Sequence, residues 1–301
     1  MRFTVEAWSP EYGTPVEGEQ KDPAAPPDVA IEVPPGEWQP IPPDVAPAPD
    51  VLFIDGVRRV DANVWIEQPD GLAVLGLCAT YAAGAVRCNG SAEIVGATVE
   101  RGLFTSAAGS SDVATKHGAY QVRATTGTTP PELWLGIQQR MDELEGRVAL
   151  EHADSEFVVV DGPLSHHKLV PGAVGYIKTQ HVQYLPPELR WILPGLPVGR
   201  RTPLFLVSGG RSAYSWYLRL AVAPGPNGGI VRCEVSADRS PGEAARIADR
   251  VTATLPRFAS QEHKDPRAPQ NLYPIAGLER ALRRRLGDPR LLYRSLREAS
   301  T

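Results

Sequence analysis

Two aspartates stand at the ends of similar apolar runs in different parts of the chain. Asp55 follows residues 51–54, Asp161 follows residues 157–160, and each aspartate precedes a glycine. Runs of β-branched and aromatic residues that are bounded by turn residues predict buried strands. A carboxylate at the end of a buried strand is costly unless something binds it. The pair therefore predicts a site in which Asp55 and Asp161 hold a divalent metal ion through hard oxygen ligands.

Each Asp-Gly dipeptide also has a simpler interpretation when it is taken alone. Asp-Gly is typical of turns, so either aspartate could merely begin a turn after its strand. On either interpretation we expect the first strand to cover residues 51–55 and a second strand to cover residues 60–66, and residues 72–81 to form another strand or a buried apolar element. Only the two dipeptides together, each after a matched apolar run, favour the metal site.

A helix between the two aspartates offers further carboxylates. Apolar residues at three- and four-residue intervals predict a helix over residues 131–152, with a buried stripe made of Trp134, Ile137, Met141, Leu144 and Val148. Glu145 borders this stripe, whereas Glu143 lies on the solvated side of the helix. Glu145 is therefore the better inward-facing ligand, and Glu143 remains the alternative.

Composition places these elements in a globular α/β protein with an unusual N-terminal segment. The 301 residues are 42% hydrophobic and 22% charged, which leaves room for one large or two smaller domains. Residues 1–50 contain 12 of the 30 prolines, and ten acidic residues against two basic ones. We expect this segment to be a loosely packed acidic arm, and residues 51–301 to form the main domain. Trp8, Tyr12 and Trp38 indicate that parts of the arm dock on this domain. Three cysteines without metal-type spacing indicate a reduced, cytoplasmic protein, and no apolar run is long enough for a membrane span.

Five short motifs, in order over roughly residues 50–285, make the chain resemble the NurA family of DNA-end-processing nucleases. The motifs are Phe53-Ile-Asp-Gly56, Phe157-Val-Val-Val-Asp-Gly-Pro-Leu164, Val174-Gly-Tyr-Ile-Lys178, Gly199-Arg-Arg-Thr-Pro203 and Asn271-Leu-Tyr-Pro-Ile275. The resemblance implies an RNase H-like fold, a mixed β-sheet flanked by helices. It also implies a Mn²⁺- or Mg²⁺-dependent phosphodiesterase that acts on DNA, forms a homodimer and works with a HerA-type hexameric ATPase.

The family's catalytic and metal-binding residues fall on named positions of this chain. Its two strand aspartates fall on Asp55 and Asp161, and its acidic helix residue falls on Glu145 or Glu143. The chain departs from the family pattern twice. Val57 follows the first Asp-Gly where the family usually has serine. The C-terminal helix lacks the family's Asp or His, so that Glu279, or the nearby His263 and Asp265, are the substitutes.

Several cations are candidates for contact with a DNA backbone. Lys178 ends an apolar segment and either contacts a phosphate, as a catalytic group, or simply reaches solvent. Arg58 and Arg59 follow the first aspartate and either bind DNA or neutralise carboxylates. Arg200 and Arg201 belong to the fourth motif and are further candidates for DNA binding.

The favoured function is therefore a metal-dependent DNA nuclease in DNA end processing and repair, with Asp55, Glu145 and Asp161 as metal ligands. One alternative is a catalytically degenerate scaffold that binds a DNA-translocating ATPase through its arginine-rich C-terminus. Another is a small-molecule phosphoesterase that uses the same carboxylates. No nucleotide-binding or acyl-transfer motif is present.

Overall fold

The computed structural model describes residues 16–152, 154–155, 157–164, 170, 172–208, 212–225 and 227–300. The described strands are β1 (Val16–Lys21), β2 (Val51–Glu67), β3 (Ala73–Asn89), β4 (Ser91–Thr105), β5 (Val113–Thr115), β6 (Gly118–Ala124), β7 (Val158–Asp161), β8 (Val174–Ile177), β9 (Gln180–Val182), β10 (Phe205–Val207), β11 (Ala213–Arg219) and β12 (Ile230–Ser236). The α-helices are α1 (Pro130–Glu151), α2 (Pro241–Thr254), α3 (Tyr273–Arg285) and α4 (Pro289–Ala299). Among the described residues, short 3-10 helices cover Pro35–Glu37, Pro187–Ile192 and Leu255–Phe258.

The strands form a mixed sheet of ten, in the order β10-β11-β12-β8-β7-β2-β3-β4-β6-β5. β1 and β9 make a separate parallel pair. The expected α/β fold, with a mixed sheet flanked by helices, is confirmed. None of the helices within the described ranges is both long and apolar enough to cross a membrane.

The chain divides into two compact units. The first unit contains Met1–Phe53, Arg87–Ala92 and Ala153–Ala276. The second unit contains Ile54–Val86, Glu93–His152 and Gly277–Thr301.

The first unit contains an antiparallel meander and one parallel strand pair. β10, β11 and β12 pair antiparallel in sequence order, β12 pairs antiparallel with β8, and β8 pairs parallel with β7. α2 packs against β11, and its N-terminus is closed by a capping box between Ser240 and Glu243.

The acidic arm is packed against this unit over its described residues, whereas the composition predicted a loose segment. Trp38 is buried in a cluster with Leu189, Phe205 and Tyr217. The backbone of Asp28 forms a bridge with Leu206. Proline excludes regular structure here, but it does not exclude packing, because a buried aromatic ring can hold an extended chain to the core. Residues 1–15 of the arm lie outside the described residues.

The second unit carries the long strands and the helix between the two aspartates. β2 and β3 are each 17 residues long. Residues 51–67 therefore form one strand, and the prediction of two strands with Asp55 at the end of the first was wrong. α1 begins at a capping box, in which Glu132 accepts hydrogen bonds from the backbone and hydroxyl of Thr129. α3 packs on β3 at Gly84, where an added Cβ would meet Leu278 and Leu282.

The buried stripe of α1 differs from the prediction at its first position. Ile137, Met141, Leu144 and Val148 are buried as predicted. Leu133 is the buried residue of the first turns, and Trp134 is 42% exposed. The prediction was wrong for Trp134 because residues 133 and 134 both suit the periodicity, and only packing decides between them.

Candidate metal centre

Asp55 lies inside β2 and is buried. Its side chain retains 5% exposure, and Oδ1 accepts a hydrogen bond from the backbone N–H of Gly56 over 2.8 Å. The strand there is apolar, with Phe53 and Ile54 fully buried. A carboxylate in such surroundings is costly without further charge compensation.

Glu145 of α1 packs directly against the residue that follows Asp55. Its Oε1 lies 2.3 Å from the position that a Cβ on Gly56 would occupy, and Met141 Cγ lies 2.8 Å from the same position. No side chain larger than hydrogen fits there without movement. Glycine at position 56 is therefore needed for the close approach of α1 to β2. Glu145 is 3% exposed, which agrees with the inward direction that its helical phase predicted.

Glu279 of α3 is a second carboxylate beside Asp55 in the second unit. The two residues each offer a carboxylate oxygen within 4.8 Å of the other's. Like charges at this separation repel unless a cation lies near them. The sequence named Glu279 as one of three substitutes for the missing C-terminal ligand, and the structure places it near Asp55.

The other two substitutes lie elsewhere. Asp265 is buried, and its Oδ2 accepts a hydrogen bond from the side-chain amide of Asn271 over 3.0 Å. His263 is exposed. Both residues belong to the first unit.

Asp161 ends β7 in the first unit and is paired with a buried cation. Lys178 Nζ lies 2.6 Å from Asp161 Oδ2, and it donates a hydrogen bond to Asn271 Oδ1 over 3.1 Å. Lys178 is 9% exposed, so the interpretation that it simply reaches solvent is wrong. Asn271 in turn donates to Asp265. The network fixes the ammonium group against one oxygen of Asp161.

The second oxygen of Asp161 has a different environment. Oδ1 is buried and has no hydrogen-bond partner among the described residues. A buried carboxylate oxygen without a donor is a suitable ligand for a divalent cation, which prefers hard anionic oxygens. Within the second unit, Asp55 and Glu279 offer carboxylate oxygens of the same ligand type.

Glu143, the alternative helix ligand, lies on the solvent side of α1. Its side chain is 60% exposed and forms an ion pair with Arg140 over 2.8 Å. Glu145 and Glu143 thus occupy the two environments that their helical phases predicted.

Arg58 and Arg59 have separate surroundings. Arg58 is exposed, and its guanidinium lies 5.7 Å from the centre of the Trp134 ring. Loss of solvent around part of the side chain lowers the pKa of Arg58, against the raising effect of the charges of Asp142 and Glu145. Arg59 donates from Nε to Asp61 and from a terminal nitrogen to the backbone carbonyl of Gly287, and so it connects β2 to the chain after α3.

Arg200 and Arg201 also differ. Arg201 is 1% exposed and binds both carboxylate oxygens of Glu32, with Nε donating to Asp249. These pairs raise the pKa of Arg201 above its usual value, although burial alone lowers it. Its guanidinium holds the acidic arm to the first unit and is enclosed by these partners. Arg200 is partly exposed.

Sequence analysis missed Asn271 and Trp134 as functional candidates. Asn271 was noted only as the first residue of a motif, although it is fully buried and bridges Lys178 to Asp265. A useful signal was its polarity directly before the apolar start of α3. Trp134 was assigned to the core, and only its exposure and its contact with Arg58 set it apart.

The fold resembles that of a nuclease whose structure has been solved. The fold is similar to that in "Crystal structure of the NurA nuclease from Sulfolobus solfataricus", with a TM-score of 0.50 and 10% sequence identity. The similarity covers 87% of this chain and 88% of that chain. No protein-family model matches the chain, and neither does any curated protein. At this identity the likeness concerns the fold, and the chain has a NurA-like fold.

Proposed function

We propose that this chain is a divalent-metal-dependent DNA nuclease. The observation that carries the proposal is the set of one buried and two partly buried carboxylates at strand and helix positions of a NurA-like fold. Asp55 lies near Glu279, and Asp161 holds one oxygen against Lys178 and another without a donor. Buried acidic groups of this kind are retained where they bind a cation, since otherwise they only destabilise the fold.

In the proposed site Asp55 and Glu279 of the second unit hold Mn²⁺ or Mg²⁺. Asp161 and Glu145 are proposed as further ligands because the sequence named them. A bound divalent ion neutralises charge at a phosphate and activates a water molecule for phosphodiester hydrolysis. Lys178 acts on Asp161. It fixes the direction of one carboxylate oxygen and leaves the other for the ion. Asn271 keeps Lys178 in that position through its hydrogen bond.

The test is a cleavage assay on end-labelled single- and double-stranded DNA, with and without Mn²⁺. We expect cleavage that needs the metal and that Asp161→Asn removes. Asp44→Asn is the matched control, because Asp44 is an exposed aspartate of the acidic arm and the same charge is lost. Wild-type cleavage by Asp161→Asn, or cleavage that persists in a chelator, would contradict the proposal.

Metal binding gives a second readout that does not need activity. Mn²⁺ that binds only the folded state raises the melting temperature by mass action. At a metal concentration of 100 Kd the gain in the free energy of unfolding is about 2.7 kcal/mol. We expect this rise for wild type and for Asp44→Asn, and a smaller rise for Asp55→Asn. A protein that shows neither the rise nor cleavage is the degenerate scaffold. A protein that cleaves nucleotide analogues but no DNA is the small-molecule phosphoesterase.

We also propose a role in DNA end processing and repair, as a homodimer with a HerA-type hexameric ATPase. The feature that supports a partner is the run of exposed arginines on α3 and α4, which suits an acidic surface: Arg283, Arg284, Arg285, Arg290, Arg294 and Arg297. The double change Arg284→Glu with Arg285→Glu should abolish co-elution with such an ATPase. Arg257→Glu, on an exposed residue of the first unit, should not. Unchanged co-elution of the double variant would remove this surface from the proposal.

A further inference from the structure

Trp134 is an aromatic side chain at the surface of the second unit with a cation beside it. The ring is 42% exposed, and the guanidinium of Arg58 lies 5.7 Å from its centre. The core position in this part of α1 is taken by Leu133, so Trp134 is not needed to fill the interior. Proteins that bind single-stranded nucleic acids use exposed aromatic rings, on which the bases stack, together with arginine guanidinium groups.

The position of Trp134 connects it to the carboxylates. Residues 134, 138, 142 and 145 follow one another on one side of α1 at helical spacing. Gln138 donates to Asp142 over 2.6 Å, and Glu145 at the end of the row packs against Gly56. Arg58 stands two residues beyond Gly56 on β2, on the same face of the strand. The row therefore leads from the exposed ring to the residue next to Asp55.

Eleven residues of α-helix rise about 16 Å, so Trp134 lies about this far along α1 from Glu145. Asp142 and Glu145 are buried, so the exposed part of the row is its Trp134 end.

We infer that Trp134 and Arg58 form a stacking subsite for an unpaired base of single-stranded DNA, at the exposed end of the row that begins at Trp134. The inference rests on the proposed nuclease function for its substrate. Arg58 supplies charge for the backbone, and Trp134 supplies the surface on which a base lies. The ring of a base in a duplex is covered by its neighbours, so the subsite selects single strands or frayed ends.

The test is binding of labelled oligonucleotides without metal, followed by fluorescence anisotropy. The probes are a chain of twelve thymidines and a chain of twelve abasic residues, which share the backbone and differ in the bases. Trp134→Ala should weaken binding of the thymidine chain by about 5- to 150-fold and leave the abasic chain unchanged. Trp134→Phe should keep most of the affinity. Arg58→Gln should weaken both probes.

Trp65→Ala is the matched control, because Trp65 lies on the same strand as Arg58 and is 69% exposed. It should bind both probes as wild type does. The inference would be overturned if Trp134→Ala bound the thymidine chain with the same affinity as wild type. So would a change in oligomeric state by Trp134→Ala in sedimentation, with DNA binding intact, since the ring would then contact a second copy.

These outcomes are separable from those of the proposed function because binding without metal needs no cleavage. Metal-dependent cleavage without any effect of Trp134→Ala removes the stacking subsite alone. Trp134-dependent binding without cleavage in any metal removes the nuclease alone.

Discussion

The dipeptide Asp-Gly occurs at two strands of this molecule, and its glycine is needed for a different reason at each. At Asp55-Gly56 the strand continues through the dipeptide, and the missing side chain leaves room for Glu145. At Asp161-Gly162 the strand ends, Gly162 has a φ of 95°, and a Cβ added there would meet nothing within 4 Å. Gly56 is needed because a side chain there would collide with Glu145, and Gly162 is favoured because its backbone φ is positive.

The aspartates of the two dipeptides differ in their electrostatic surroundings as well. Asp55 is buried inside β2, whereas Asp161 ends its strand, is partly exposed and lies 2.6 Å from the ammonium of Lys178. The same dipeptide can therefore stand in different local environments. The difference teaches that a short motif identifies candidates, and that the tertiary neighbours decide what each candidate does.

The largest expected effect, on cleavage, treats both aspartates alike. Asp55→Asn and Asp161→Asn should each lower the cleavage rate about a thousandfold, since a metal ligand contributes several kcal/mol to the transition state and each 1.36 kcal/mol is tenfold. The measurement is the single-turnover rate on end-labelled DNA in Mn²⁺. A variant with a rate within tenfold of wild type would remove its aspartate from the metal site.

Stability without metal should separate the same two variants. Asp161→Asn removes the counter-charge of buried Lys178, and removing one partner of a buried pair costs about 3–5 kcal/mol. In Asp55→Asn the amide oxygen can still accept the hydrogen bond from the backbone N–H of Gly56, so its loss should be smaller. The measurement is the melting temperature in a chelator. An equal loss in both variants would contradict the electrostatic difference between the two sites.

A smaller effect on stability is expected from a substitution at Gly56. Gly56→Ala places a methyl group where Glu145 Oε1 now lies, so we expect the carboxylate to move and cleavage to fall. Overpacking of this kind costs about 1–3 kcal/mol. Glu145→Ala removes the obstructing atoms, so the double variant Gly56→Ala with Glu145→Ala should be more stable than the sum of the single losses predicts. The coupling in a double-mutant cycle should be about 0.5–3 kcal/mol, and strict additivity would show that the two residues do not collide.

Much of this comparison was within reach of the sequence. Apolar runs before Asp55 and Asp161 predicted buried strands, and helical phase separated Glu145 from Glu143. The turn interpretation of Asp55-Gly56 was wrong, because the dipeptide signals a turn only where glycine takes a positive φ, and a residue pair cannot report that. Glu279 and Asp55 are far apart in the sequence, so periodicity could not predict that they lie close together. Only the comparison with the family's motifs named Glu279 as a candidate. Trp134 shows that local patterns have the same limit. Its spacing suited the buried stripe of α1, but the neighbouring Leu133 occupies the core position.

The smallest effect is expected at Gly162, and it should stay local. Gly162→Ala puts a β-carbon on a residue with a φ of 95°, which costs about 1–2 kcal/mol for an L-residue in the left-handed region. The methyl group would meet no neighbour, and the backbone N–H of Gly162 can still donate to Tyr176. We therefore expect a modest fall in melting temperature, and the measurement is a thermal melt of Gly162→Ala beside Gly56→Ala. Gly162→Ala with Glu145→Ala should lose stability additively, because no atom of Glu145 lies near the new methyl group. Coupling as strong as that of Gly56 would mean that this glycine, too, serves packing, and the distinction between the two dipeptides would disappear.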